Sequence, residues 1–281
     1  MYRKAASRRL AKADTLQPVT LPFFASSDDP GPDFVELLRT LKRQPELGGT
    51  ALDPTQITHA TTVVAIRSDD GVVMAGDRRA TSGHLISHRN IEKVFPADGL
   101  SGVAIAGAAG PAMEMVRLFQ LQLEHYEKVE GNPLSLEGKA NQLSQMVRNN
   151  LPAAMQGLGV VPLFAGYDSQ QEKGRLFQYD ITGGRYEERD YGASGSGSLH
   201  AGTVIKLRHN GNLKQSEAVD LAIESLFHAA DEDSATGGPD PIRGIYPVVA
   251  AITKDGFSRI PNEEIATRTG AILANLNGGV A

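Results

Sequence analysis

Two apolar runs, Thr62-Val63-Val64-Ala65-Ile66 and Val72-Val73-Met74-Ala75-Gly76, joined through Ser68-Asp69-Asp70-Gly71, most restrict how this chain can fold. Short β-branched runs linked by a polar turn containing Asp-Gly read as a β-hairpin. At its head stands His59-Ala60-Thr61-Thr62, a small residue followed by two threonines. Were the Ala60–Thr61 bond cut, Thr61 would become an N-terminus carrying its own nucleophile and its own base. Its hydroxyl would attack, and its α-amine, with an ordinary pKa of about 7.7–8.0, would accept the proton near neutral pH. Any function of this kind depends on whether that bond is processed.

Further along, Gly102 to Ala106 reads as a strand running into Gly107-Ala108-Ala109-Gly110. Ala112, Val116, Phe119, Leu123 and Tyr126 then alternate by four and three, the core stripe of a long helix. A second helix is expected over about Leu136 to Met155, and Val161 to Tyr167 returns as a strand. Leu176 to Asp180 and Arg185 to Arg189, joined by Thr182-Gly183-Gly184, form a second hairpin. Helical patterns recur at Leu199 to Leu207, Glu217 to Ala230 and Glu263 to Leu276, with strands at Tyr246 to Thr253 and near Phe257. Hairpins grouped apart from helices argue for antiparallel sheets with helical layers outside, rather than alternating βαβ units.

At 281 residues the chain is long enough to bury a substantial core. Its formal charge of -5 supplies no electrostatic reason to expect a nucleic-acid or anionic-membrane partner. The absence of cysteine removes disulfides, thiolate metal sites and a cysteine nucleophile, and fits a reducing cytoplasm. No apolar run approaches the roughly 18–20 residues of a membrane span. The basic start, with Arg8-Arg9, lacks the apolar core of an export signal because Lys12, Asp14 and Gln17 interrupt it; it reads as a disordered tail.

Residues 1–60 differ in texture from the rest. Ser26 to Pro32 is loop chemistry, after which Phe34, Leu37, Leu38 and Leu41 mark a short amphipathic helix near 33–43. One short helix cannot build its own core, so this segment reads as a leader that leans on something else.

Sixteen residues after Thr61 comes Asp77, in Gly71-Val72-Val73-Met74-Ala75-Gly76-Asp77-Arg78-Arg79-Ala80-Thr81. Thirty-two after it is Lys93, in Glu92-Lys93-Val94, and forty-six after it is Gly107, in Ala106-Gly107-Ala108-Ala109-Gly110. Gly195-Ser196-Gly197-Ser198 and Asp233-Ser234-Ala235-Thr236-Gly237-Gly238 follow in order. With the Thr61 segment, these runs resemble 20S proteasome β subunits, the actinobacterial form most closely, over nearly all of 61–281. The resemblance implies an α+β, N-terminal nucleophile hydrolase fold, a four-layer αββα sandwich of two antiparallel sheets. It further implies a propeptide over 1–60 and a peptidase domain over 61–281, separated by self-cleavage between Ala60 and Thr61.

On that resemblance Thr61 is the nucleophile. Lys93 sits beside it as a cation, lowering the affinity of the amine for a proton, and Asp77 keeps Lys93 charged and fixed. Gly107 offers its N–H to the oxyanion. Ser196, Asp233 and Thr236 orient the terminal amine; Thr236 stands where many relatives carry serine. The pocket for the residue before the cut matches Ala80, Ile91, Ile105, Ala109 and Met113, all apolar, which implies cleavage after apolar or aromatic residues. Thr81 would hold the substrate backbone by strand pairing. The implied partners are proteasome α subunits, other β subunits in heptameric rings (α7β7β7α7), an ATP-dependent unfoldase ring and protein substrates.

No cofactor or metal is expected. The run Gly195 to His200 is not a dinucleotide fingerprint. Asp231, Glu232, Asp233 and Asp240 lack the register of a calcium loop, and His84 and His88 lack a third ligand. Three other readings of the chain stand beside this one. They are the shorter threonine peptidase of the bacterial two-component ATP-dependent protease, a non-catalytic scaffold subunit of the same fold, and an unrelated self-cleaving amidase.

Overall fold

The computed structural model describes residues 58–60 and 62–278, with residues 58–60, 277 and 278 as backbone only. In chain order the strands up to the first helix are β1 (Thr58–Ala60), β2 (Thr62–Arg67), β3 (Gly71–Gly76), β4 (Ala80–Ser82), β5 (Leu85–His88), β6 (Val94–Asp98), β7 (Ser101–Ala104) and β8 (Gly107–Ala108). Then come α1 (Ala109–Glu130), α2 (Leu136–Asn149), α3 (Leu151–Ala154), β9 (Leu163–Asp168), β10 (Lys173–Tyr179), β11 (Arg185–Glu188) and β12 (Tyr191–Gly195). The chain continues through α4 (Ser198–Arg208), α5 (Gln215–Glu232), β13 (Val248–Thr253), β14 (Gly256–Arg259) and α6 (Asn262–Gly278).

Alternation of side chains along the strands builds four layers. One five-stranded sheet runs β12-β2-β3-β13-β14, and a second runs β11-β10-β9-β7-β6; every pairing in both is antiparallel. In β2 and β3, Val63, Ala65, Val72 and Met74 point to the second sheet, where they meet Ala104, Leu163, Ala165 and Leu176. Their neighbours Val64, Ile66, Val73 and Ala75 point the other way, against Ala201 and Ile205 of α4 and Ala218, Ala222 and Leu226 of α5. The outer face of the second sheet packs Phe164 and Phe177 against Ala112, Val116 and Phe119 of α1 and Leu143 of α2. Antiparallel sheets commonly leave one face to water, but here both faces are covered, so the strands read as unbroken apolar runs. Each fully buried Val, Leu, Ile or Phe contributes roughly 1.5–3 kcal/mol relative to exposure.

The hairpin at the head of the fold forms as expected, with Val63 opposite Gly76 and Arg67 opposite Val72. The α1 stripe is buried at Ala112, Val116, Phe119 and Leu123, while Tyr126, at 40% exposure, has left the core. The helix expected over Leu136 to Met155 is divided at Asn150. Pro152 explains the break, since it has no N–H to bond the Arg148 carbonyl and its ring crowds that turn.

A third sheet joins the two expected. It is four-stranded, ordered β5-β4-β1-β8, and stands beside the sandwich where the chain enters β2. In it β1 is the inner strand: Ala60 lies opposite Ala80 on one side and Gly107 on the other, and His59 lies opposite Thr81 and Ala108. The leader up to residue 57, including the helix expected near 33–43, lies outside the described residues, as does Thr61.

Candidate active site at the entry to strand β2

Asp77 follows directly on β3, and its N–H donates to the carbonyl of Thr62 at 3.1 Å, so the hairpin register places it beside the start of β2. Lys93 immediately precedes β6 of the other sheet and accepts at its carbonyl from the Ile105 N–H (2.9 Å). The two residues therefore meet across the end of the sandwich, and both are fully buried. Lys93 Nζ donates to Asp77 Oδ1 at 2.5 Å and to the Arg79 carbonyl at 2.7 Å. Among the described residues this occupies two of its three N–H bonds.

Asp77 gathers three more donors. Thr62 N–H reaches Oδ1 at 3.0 Å, and the N–H groups of Arg79 and Gly237 reach Oδ2 at 2.8 Å each. A buried charge is tolerable only when paired and hydrogen-bonded, and this one is both. Burial pulls the Lys93 ammonium below its ordinary 10.5 despite the opposing pull of the Asp77 carboxylate and of Asp233; Arg79 adds to the lowering.

A second set of groups comes from the loops after β12 and α5. Asp233 caps α5, its N–H donating to Ala229. Ser196 Oγ and Thr236 Oγ1 donate to Asp233 Oδ2 at 2.5 and 2.6 Å, and Ala235 N–H donates to Oδ1 at 3.1 Å. Burial pushes the Asp233 carboxyl up, but the bonds from Ser196, Thr236 and Ala235 N–H outweigh it and hold the carboxyl below its ordinary value. The two sets are tied together, because the Arg79 guanidinium donates to the Ser234 carbonyl at 2.8 Å.

Gly107 forms the third side. Its φ of +107° belongs to glycine, and a Cβ there would fall onto the Gly159 carbonyl. It bridges Val160 on one side and β1 on the other. Ala80 and Thr81 lie on β4, paired directly with β1. Ile105 is buried among the residues that α1 and α2 cover, Met113 packs half-buried against the same cluster, and Ala109 opens α1. Ile91 is held by its N–H to the Arg78 carbonyl at 3.0 Å.

Asp77, Lys93, Ser196, Asp233 and Thr236 are thus brought into one network, with Gly107, Ala80 and Thr81 around β1. Thr61 itself is outside the described residues, but the residues on either side of it are held. Ala60 lies between Ala80 and Gly107, and Thr62 is bonded to Asp77.

Four contributors escaped the sequence reading. Gly237 acts through its backbone N–H, and Arg79 through its backbone N–H and carbonyl as well as its guanidinium; residue type does not advertise the backbone roles. Gly197 donates its N–H to Thr62 Oγ1 at 3.0 Å, and Thr62 Oγ1 shares a 2.5 Å bond with Thr236 Oγ1. The doublet Thr61-Thr62 was the only signal for Thr62, whose hydroxyl is fully buried and committed. The acidic run around Asp231 divides its duties: Asp233 serves this network, whereas Asp240 pairs with Arg243.

A sandwich of this layering, with a buried lysine–aspartate pair at the start of the strand that opens at Thr62, has the architecture of the N-terminal nucleophile hydrolase class. The family model described as proteasome subunit matches residues 57–242, and the chain belongs to that family. It is 57% identical over 252 residues to a proteasome subunit beta of Acidimicrobium ferrooxidans, covering 88% of this chain and 92% of that protein. It is 52% identical over 258 residues to a proteasome subunit beta of Streptomyces griseus, covering 92% and 89% respectively. A proteasome subunit beta of Frankia alni is 53% identical over 228 residues, covering 81% and 83%.

Proposed function

We propose that this chain is the catalytic β subunit of a 20S proteasome, a threonine endopeptidase that frees its own nucleophile by cutting between Ala60 and Thr61. Residues 1–60 are then the propeptide and 61–281 the peptidase domain. The observation that carries this reading is the position of β1: the three residues before Thr61 lie as a strand between β4 and β8, with Gly107 opposite Ala60. A peptide to be cut would take the same place, held on both sides by backbone pairing.

In the processed subunit the Thr61 hydroxyl adds to a substrate carbonyl carbon while the α-amine takes its proton. The Gly107 N–H supports the oxyanion, and the C–N bond breaks as the protonated α-amine passes its proton to the leaving amine, which leaves an ester that water hydrolyses. Lys93, held by Asp77, keeps positive charge beside the amine and disfavours its protonation. Asp233, with Ser196 and Thr236, supplies the acceptors that orient it. The pocket of Ala80, Ile91, Ile105, Ala109 and Met113 is apolar and favours an apolar or aromatic residue before the cut. The working particle is the stack α7β7β7α7 in the cytoplasm, fed by an ATP-dependent unfoldase. Among the described residues no helix is long and apolar enough to cross a membrane.

The scaffold reading is disfavoured because the chain carries Thr61, Lys93 and a cleavable Ala60–Thr61 bond, and Lys93 is paired with Asp77. The test is hydrolysis of a fluorogenic peptide ending in tyrosine by particles assembled with the α partner. Wild type should turn over and Thr61→Ala should not. Equal rates would remove Thr61 as nucleophile.

A further inference from the structure

The hydroxyl of Thr62 is buried and has no part in the chemistry just described, yet it is held by two partners. Thr236 Oγ1 spends its single proton on Asp233 Oδ2, since a carboxylate can only accept. The 2.5 Å contact between the two threonine hydroxyls must therefore be donated by Thr62. As an acceptor, Thr62 Oγ1 takes the Gly197 N–H at 3.0 Å. A one-way chain results: Gly197 N–H to Thr62, Thr62 to Thr236, Thr236 to Asp233. A Cβ at Gly197 would collide with both threonine hydroxyls, so a glycine is needed for this approach. The chain passes through the residue next to Thr61 and ends on the carboxylate that also receives Ser196.

We propose that Thr62 is a positioning residue: its side-chain hydroxyl, acting through Thr236, fixes the Asp233 carboxylate relative to the first residue of β2. Without that donor the Thr236 hydroxyl loses the bond that holds its orientation, and the carboxylate loses a fixed partner. The Gly197 N–H is left without an acceptor in a buried place. The adjacent threonines then divide the work, the first supplying nucleophile and base and the second anchoring the acceptors around them. The inference rests on the reading of Thr61 as the nucleophile.

Its test uses the full chain co-assembled with its α partner and the fluorogenic tyrosine peptide, with rates expressed per processed subunit. Thr62→Val keeps the shape and removes the hydroxyl; Thr62→Ser keeps the hydroxyl. A lost orienting bond should lower kcat roughly tenfold in Thr62→Val with KM within about twofold, and Thr62→Ser should return kcat to within about twofold of wild type. Because both threonines belong to one chain, Thr62→Val/Thr236→Val should be no slower than Thr236→Val alone. Wild-type kcat in Thr62→Val, failure of serine to rescue, or losses that multiply in the double variant would each overturn the proposal. Failure of both valine variants to assemble, with normal assembly of their serine counterparts, would reassign the pair to folding and overturn it too. An active Thr61→Ala particle would instead bring down the underlying reading, and this inference with it.

Discussion

Asp77 and Lys93 are both fully buried and mutually paired, but their removal should not be equally harmful. In Lys93→Met the Asp77 carboxylate keeps three N–H donors, from Thr62, Arg79 and Gly237. Both bonds from the ammonium, to Asp77 and to the Arg79 carbonyl, are lost and a side chain of similar length fills the space; because the carboxylate stays hydrogen-bonded, the loss is about 3 kcal/mol, the low end for a broken buried pair. In Asp77→Asn the ammonium of Lys93 loses its counter-charge, and whichever way the amide lies its NH2 faces donors, either Lys93 and the Thr62 N–H or the N–H groups of Arg79 and Gly237. Breaking a buried pair so that the charge is stranded is worth about 3–5 kcal/mol. Urea unfolding followed by far-ultraviolet circular dichroism, in a Thr61→Ala background where the chain cannot cut itself, should give that order. Both variants should lose peptidase activity in the unblocked background, since each removes the cation or what fixes it. A Lys93→Met loss equal to or larger than that of Asp77→Asn would refute the reasoning that three backbone donors suffice for the carboxylate.

Three further outcomes are expected. Gly107→Ala puts a Cβ onto the Gly159 carbonyl in a backbone conformation that suits glycine, and turning the N–H away should lower kcat by about 10²–10³; peptide hydrolysis by assembled particles reads this, and retention of activity would remove Gly107 from the oxyanion role. Ala109→Phe should slow cleavage after Tyr and Leu more than after Ala across a peptide panel, and an unchanged profile would discard the pocket assignment. Asp233 is held below the ordinary 3.8 because bonds from Ser196, Thr236 and Ala235 N–H outweigh the opposing effect of its burial. Its folded pKa is depressed, so its stabilisation is complete above about 3.8 and fades as pH falls through the lower folded value; melting temperatures should therefore fall less steeply with acid in Asp233→Asn than in wild type.

The layers of the fold were legible because the local pattern agreed with the final packing. The Val63–Ile66 and Val72–Ala75 runs formed the hairpin, and Ala112 to Leu123 formed the inward stripe of α1. Asp77, Lys93 and Gly107 stood out only through their separations from Thr61 and the motifs around them; no local pattern places a lysine of one sheet against an aspartate of the other. Short strands were missed where non-local pairing decides the outcome. Thr58–Ala60 becomes a strand because β4 and β8 flank it, and Tyr191–Gly195, with two glycines, is held by its pairing with β2. Strands Ala80–Ser82, Leu85–His88 and Val94–Asp98 are too short to carry a period of their own. Thr62 was visible as half of a doublet, but its commitment to Gly197 and Thr236 depends on residues 135 and 174 positions away.

The central claim is that the chain cuts itself immediately before Thr61. The most direct measurement is the intact mass and N-terminal sequence of the chain after co-expression with its α partner. A new N-terminus at Thr61 that disappears in Thr61→Ala is the expected result. A chain that stays whole in a correctly assembled particle, or a new terminus at Thr62, would contradict it.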